Sequence, residues 1–199
     1  MQTKEAEKRK RVNIKPGEYH VSTRSIIIST LLGSCVSACL YDPVKKIIGM
    51  NHFLLSNRRY ARHISICITE AGRYGIHAME LLINDMMKLG AKRENLQAKA
   101  FGGGTVLQSA GITDNFFCVG EVNTRFILEF LKNEGIPLIS SDLGGYTGRV
   151  INFHFDDFSV YVRKIQKTIN PKLVKKERNF WQRSIETQEK NITEPDIWL

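Results

Sequence analysis

No stretch of this 199-residue chain approaches the roughly 18 consecutive apolar residues that mark a membrane-spanning helix. The charged opening M-Q-T-K-E-A-E-K-R-K-R is followed by no apolar core, so it lacks the build of a secretory signal. Cysteine is scarce: Cys35, Cys39, Cys67 and Cys118 are the whole set, and no two form C-x-x-C. These absences predict reduced thiols and a cytoplasmic protein rather than a disulfide-stapled secreted one. Phosphate-binding signatures are missing too. The triple glycine at 102–104 belongs to neither G-x-x-x-x-G-K-[ST] nor a G-x-G-x-x-G that opens a helix. A tight turn or close packing is the better expectation for it. There are no internal repeats.

The formal charge of +9 looks at first like a nucleic-acid signal. Divided along the chain it is not one. Residues 1–24 carry seven Lys/Arg against three Asp/Glu, and residues 163–199 carry nine against five. Between them thirteen basic residues face twelve acidic ones. A nucleic-acid groove concentrates basic charge on the folded body, so no nucleic-acid partner is expected. The predicted layout is a basic flexible arm over 1–14, one catalytic domain over 15–164, and a basic polar extension over 165–199. In that extension Trp181 and Trp198 sit among charges, an arrangement that fits partial packing on the body or on a partner.

With 42% hydrophobic residues the body can build a real core. A strand-like stretch from Glu18 to Ser29 ends in Ile26-Ile27-Ile28. Gly33-Ser34 breaks the run, Val36–Tyr41 resumes it, Asp42-Pro43 marks a turn, and Ile47–Leu55 is a further strand. Three strands joined this tightly predict a local antiparallel arrangement. The clearest helix runs from about Thr69 to Leu89, with Gly90 beyond its end. Its apolar face reads Ala71, Gly75, Ala78, Met79, Leu82, Met86 and Leu89. Gly72 and Gly75 each weaken a helix by about 1 kcal/mol relative to alanine, which close approach of a neighbour would offset. Leu96–Phe101 is a strand. A second helix covers Asn123–Glu134, with Phe126, Ile127, Phe130 and Leu131 inward. Ile136–Ser140 is a strand, and Val150–Phe155 with Phe158–Val162 forms a hairpin. Short strand clusters around two helices predict an α+β fold, a layered α/β sandwich of β-sheet layers flanked by helices.

The chemistry concentrates in S-T-L-L-G-S-C-V-S-A-C-L-Y-D-P-V-K-K-I-I-G-M-N-H, residues 29–52. Cys35 follows Gly33-Ser34 at a strand end, where backbone N–H groups can converge on a bound oxygen. His52 closes a following strand. Thiolate and imidazole are the pair needed for covalent chemistry on an acyl group. Two plainer readings stand beside that one: a half-buried cysteine, and a core histidine bonded to a carbonyl. A zinc site from Cys35, Cys39 and His52 lacks a fourth ligand at usual spacing, and no metal is expected. Cys67 and Cys118, inside apolar runs, are expected in the core. His63, His77 and His154 carry no identifiable partner, and Tyr74 shares a helix side with His77.

Several segments, in order and spacing, carry a resemblance. T-L-L-G-S-C-V-S-A-C-L-Y-D-P, G-M-N-H-F-L-L, R-Y-G-I-H-A-M-E-L-L-I, A-K-A-F-G-G-G, V-G-E-V-N and I-P-L-I-S-S-D-L-G-G-Y-T-G-R resemble the CheD family of chemoreceptor glutamine deamidases. The likeness covers about residues 15–163. It implies a catalytic Cys35 and His52, with a hydroxyl residue at Ser29, or at Thr30 if the strand register differs by one. Backbone near Gly33 and Ser34 would hold the oxyanion. The implied fold resembles that of bacterial toxins that deamidate a glutamine in small GTPases. The implied reaction turns glutamines of methyl-accepting chemotaxis receptors into glutamate through a cysteine thioester and releases ammonia, with no cofactor. Such a substrate, a long helical coiled coil, calls for a shallow surface cleft. A CheC-type phosphatase is a further implied partner. The alternative is a non-catalytic adaptor that docks on receptors or on such a phosphatase.

Overall fold

Side-chain alternation decides which layer each strand joins. A computed structural model describes residues 10–55, 65–105 and 119–165, with positions 179, 182 and 183. Its elements are β1 (Lys10–Asn13), β2 (Tyr19–Ser22), β3 (Ile26–Leu32), β4 (Val36–Asp42), β5 (Ile47–Asn51), α1 (Glu70–Lys88), β6 (Gln97–Gly102), α2 (Val119–Asn133), β7 (Leu138–Leu143), β8 (Arg149–His154) and β9 (Val160–Lys164). They form a four-stranded sheet in the order β1-β3-β8-β9 and a five-stranded sheet in the order β2-β5-β4-β6-β7. The β1–β3 and β6–β7 pairs are parallel and the others antiparallel.

The five-stranded sheet is the middle layer. On one face Val36, Ala38 and Leu40 pack with Met79, Leu82 and Met86 of α1 and with Phe126 and Phe130 of α2. On the other, Cys35, Cys39 and Tyr41 meet Ile26, Ile28 and Leu32 of β3 and Ile151 and Phe153 of β8. All seven residues of β4 are therefore buried. A strand covered on both faces loses the polar-apolar alternation of a half-exposed one. The expected α+β layering is what forms.

Several boundaries differ from the sequence expectation. The flexible arm over 1–14 is corrected for its last residues. Lys10–Asn13 pair with Ile26–Ser29, and Ile14 is buried and donates to Ser29 O at 3.0 Å. Val12 and Ile14 supply the strand period that the surrounding charge conceals; residues 1–9 lie outside the described residues. The stretch from Glu18 to Ser29 is two strands in different sheets, parted where Ser22 Oγ accepts from Arg24 N at 3.0 Å. The expected three-strand antiparallel cluster holds only for β4 and β5, because the chain changes sheets at Gly33-Ser34. Apart from Ile165 and the three positions named above, the extension over 165–199 lies outside the described residues, Trp181 and Trp198 included.

The helices follow their signals. Thr69 Oγ1 caps α1 by accepting from Gly72 N at 3.1 Å. A Cβ on Gly72 would overlap Ile66 O, and one on Gly75 would overlap the Phe126 ring. Close approach is thus the reason for both glycines. Leu89 is not on the buried face: it is the C-cap and half exposed, while Ile83 takes its place in the core. Helix α2 starts four residues before Asn123, at Val119. Cys67 is only half-buried, and Cys118 lies outside the described residues. Among the described residues no helix is long and apolar enough to cross a membrane.

Candidate active site

The crossing from β3 to β4 is the tightest-held stretch of backbone around Cys35. Three successive carbonyls are fixed from outside: Gly33 O accepts from Gly104 N at 2.7 Å, Ser34 O from Asn123 Nδ2 at 2.9 Å, and Cys35 O from Gly103 N at 2.8 Å. A trans peptide is planar and its N–H points opposite its C=O. Anchoring the Gly33 and Ser34 carbonyls therefore sets the directions of the Ser34 and Cys35 N–H groups. The triple glycine makes this possible by close packing. Gly102 and Gly103 have φ of +113° and +67°, and a Cβ on Gly102 would overlap Cys35 O.

His52 reaches the same place by strand register. Cys39 pairs with Met50, and Val36 with Phe53 through bonds of 3.1 and 2.9 Å. The same register sets Ser37 opposite His52 and Cys35 opposite Leu54. Cys35 and His52 are then same-face diagonal neighbours, a relation that spans about 7 to 8 Å between backbones. The His52 backbone is clamped on its other edge, its N–H on Glu18 O at 2.9 Å and its carbonyl on Gly17 N at 2.7 Å.

The third contact comes from the opposite sheet. Thr30 Oγ1 lies 2.8 Å from His52 Nδ1 and donates to Ile14 O at 2.8 Å. A hydroxyl has one hydrogen. With that hydrogen on Ile14 O, Thr30 accepts from Nδ1–H, which leaves the lone pair of the imidazole on Nε2. His52 is 2% exposed, and burial pushes its pKa down to about 3, so the ring is neutral at physiological pH. Ser29, one residue earlier, points to the far face of β3, where its hydroxyl meets Ile151 O at 3.1 Å and Asn152 Oδ1 at 2.9 Å. Thr30 and His52 are brought together; Ser29 is not.

Among the described residues four buried side-chain polar atoms lack a hydrogen-bond partner: Ser34 Oγ, His52 Nε2, Thr124 Oγ1 and Arg149 Nε. All four surround the Gly33–Cys35 crossing. Thr124 abuts Gly103, and Arg149 flanks Gly104, whose N–H holds Gly33 O. Buried polar groups are nearly always paired, so this concentration makes the crossing the candidate site. Arg149 binds Asp142 Oδ1 at 2.9 Å and the Asp142 and Gly144 carbonyls. It thereby ties the glycine-rich turn of 142–148 beside the crossing, where Gly144 N donates to Gly102 O at 2.8 Å.

The other candidates scatter. Cys35, Cys39 and Cys67 are in no disulfide. Burial drives the Cys39 thiol far upward, and it pushes Cys67 up to about 11 with help from Glu129. Among the described residues no three of His, Cys, Asp and Glu are grouped as metal ligands, the Cys35, Cys39 and His52 set included. His154 packs edge-on to Tyr161 at 4.9 Å, His77 is exposed on α1, and His63 lies outside the described residues. Cys35 itself is wholly buried, so the expected shallow cleft does not expose the thiol. Asn123 and Arg149 escaped the sequence reading. Asn123 left a signal: it precedes Phe126, Ile127 and Phe130 at helical spacing, and an asparagine on a buried face has to find partners.

Residues 60–164 match the family model described as CheD chemotactic sensory transduction. A Geobacter sulfurreducens protein named probable chemoreceptor glutamine deamidase CheD 1 is 56% identical over 188 residues, 94% of each chain. A Shewanella oneidensis protein named probable chemoreceptor glutamine deamidase CheD 2 is 51% identical over 152 residues, 75% of this chain and 74% of that one. Among solved structures, a Bacillus licheniformis hypothetical protein, YfiH, aligns with a TM-score of 0.37 and 13% identity over 62% of this chain and 49% of its own. That likeness is too weak to bear on the fold or the chemistry. The family model covers the α1-to-β9 part of the body, and the Geobacter relative carries the match across almost the whole length; the chain belongs to the CheD family.

Proposed function

We propose that this protein deamidates glutamines of methyl-accepting chemotaxis receptors, with Cys35 as nucleophile, His52 as base and acid, and Thr30 as the residue that orients His52. The observation that carries this reading is the Thr30–His52 bond, which leaves a bare Nε2 on the face of the sheet that also bears Cys35. The names of the relatives supply the substrate class.

The resting imidazole is neutral, because burial opposes its charge. Cys35 Sγ attacks the carboxamide carbon of the glutamine as Nε2 takes its proton. The tetrahedral oxyanion is held by the backbone N–H groups at Ser34 and Cys35, whose directions the fixed carbonyls impose. The imidazolium passes its proton to the departing nitrogen, the C–N bond breaks, and ammonia leaves a thioester. Nε2 then takes a proton from water, the hydroxide opens the thioester, and the thiol regains its proton. Glutamine has become glutamate. A neutral hydroxyl at Thr30 stabilises the transient imidazolium less than a carboxylate would, but fixes the tautomer equally well.

The reaction adds one negative charge to a receptor helix for each glutamine converted. The proposed setting is the cytoplasm, with receptor coiled coils as substrate and a CheC-type phosphatase as a second partner. The test is mass spectrometry of receptor fragments after incubation. Wild type should release ammonia and add about 1 Da per modified glutamine, since NH2 becomes OH. Cys35→Ala, folded by far-UV circular dichroism, should do neither. Normal turnover by that variant sinks the mechanism, and inert receptors with wild type favour the adaptor.

A further inference from the structure

We infer that Asn123 is a positioning residue for the reaction: one buried side-chain amide, placed by α2, sets the Cys35 crossing against the strand that carries His52. This rests on the deamidase reading above for its kinetic consequences, but its structural basis is separate. Asn123 Nδ2 donates to Ser34 O at 2.9 Å and its Oδ1 accepts from Leu55 N at 2.7 Å. Its orientation is unambiguous, since a carbonyl oxygen requires the NH2 end and a backbone N–H requires the oxygen. The residue is 0% exposed, as are, nearly, both groups it satisfies.

The two bonds act on the dyad from both sides. Fixing Ser34 O fixes the Cys35 N–H through the peptide plane. Holding Leu55 N fixes the chain three residues beyond His52, just past the Val36–Phe53 bridge. Beyond that bridge the β4–β5 ladder ends, and the bonds from Asn123 span the gap where the strands would otherwise part. Asn123 touches neither Cys35 nor His52 by any bond described, so its influence passes through backbone alone. Misplacing reacting groups by about 1 Å lowers turnover by about 100-fold. A loss of that size, with little change in KM, is the expected signature.

Asn123→Asp keeps the volume and the acceptor for Leu55 N but loses the donor to Ser34 O. Asn123→Ala loses both. Leu131→Ala, on the same helix but only in the core, controls for general loosening. Each is assayed for deamidation of a recombinant receptor cytoplasmic fragment and for the pH midpoint of Cys35 alkylation by iodoacetamide. The midpoint, unlike the rate, does not depend on how readily reagent reaches the thiol. For Asn123→Asp, kcat should fall about 100-fold with KM within about three-fold of wild type, and the alkylation midpoint should move to higher pH. The ratio of variant to wild-type kcat should rise as pH falls, because a protonated carboxyl donates to Ser34 O again. A kcat within about three-fold of wild type, an unmoved midpoint, or an equal fall in Leu131→Ala overturns the proposal. If Asn123→Ala fails to fold, Asn123→Asp decides. No deamidation by wild type defeats the proposed activity instead, and the alkylation midpoints still judge Asn123.

Discussion

Ser29 and Thr30 differ by one methyl group, and the pleat of β3 gives them opposite lives. Thr30 meets the ring of His52, whereas Ser29 is bonded to β8 on the far face. Thr30→Val keeps the shape and removes the hydroxyl, so the imidazole loses its orienting acceptor. Steady-state assay should show kcat lower by about 100-fold. Ser29→Ala should weaken stability by about 1 kcal/mol in urea melts and leave kcat within a few-fold. The reverse ranking would overturn the assignment. His52 also makes a thermodynamic prediction. Its folded pKa, about 3, lies below the unfolded value of about 6.5, so the unfolded chain binds the proton first as pH falls. The stability tied to neutral His52 is complete above about pH 6.5 and is lost between there and about pH 3. Urea melts at pH 7 and pH 5 should show wild type losing more stability than His52→Gln; equal losses would argue against a buried neutral ring. Cys35 and His52 were legible as a pair of residue types at a turn and a strand end. The choice between Ser29 and Thr30 was not, because it depends on which face of β3 meets β5, and no local pattern encodes that. Asn123 was visible as a polar residue on an apolar helical face, but its partners lie 89 and 68 residues away.

At the scale of elements, two glycines with similar backbone angles separate strain from collision. Gly90 has φ +102° and nothing near its absent Cβ, whereas Gly102 has φ +113° and the Cys35 carbonyl against it. Gly90→Ala should lower stability by about 1 to 2 kcal/mol, the left-handed penalty alone. Gly102→Ala carries that penalty and also displaces the crossing, so its denaturation midpoint should fall further and its activity should drop as well. Equal losses in the two variants would show that Gly102 matters only as a turn. The helices were read nearly to their ends because caps and glycines are local signals. Strand membership was read less well. Ile26–Leu32 and Val36–Asp42 look like neighbours in one sheet, yet three residues of backbone, Gly33 to Cys35, carry the chain between layers. β1 was hidden for a different reason. Its lysine and arginine residues suit a solvated arm, and only its pairing with Ile26–Ser29 makes it a strand.

For the whole molecule, layering explains why the site needed the complete fold. Thr30 belongs to the four-stranded sheet, Cys35 and His52 to the ends of β4 and β5 in the five-stranded one, and Asn123 to the helical layer. On the proposed mechanism, neither sheet alone can assemble the chemistry. Turnover should therefore recover, during refolding from urea, only with the phase that docks the two sheets. Activity that returned earlier than near-UV dichroism would contradict a site shared across layers. The even charge of the body and the basic ends were plain from composition. That three layers converge on one crossing was not, since it follows from contacts between residues as much as 89 positions apart.

The complete burial of Cys35 has a meaning in redox terms. Oxidation to sulfenic acid and beyond follows thiolate character and exposure, and this sulfur is enclosed in the core between the two sheets. At rest it is withheld from peroxide and from stray electrophiles. On the proposed mechanism the sulfur meets them only while the site admits a glutamine, which ties its chemical lifetime to how often it works rather than to how long it waits.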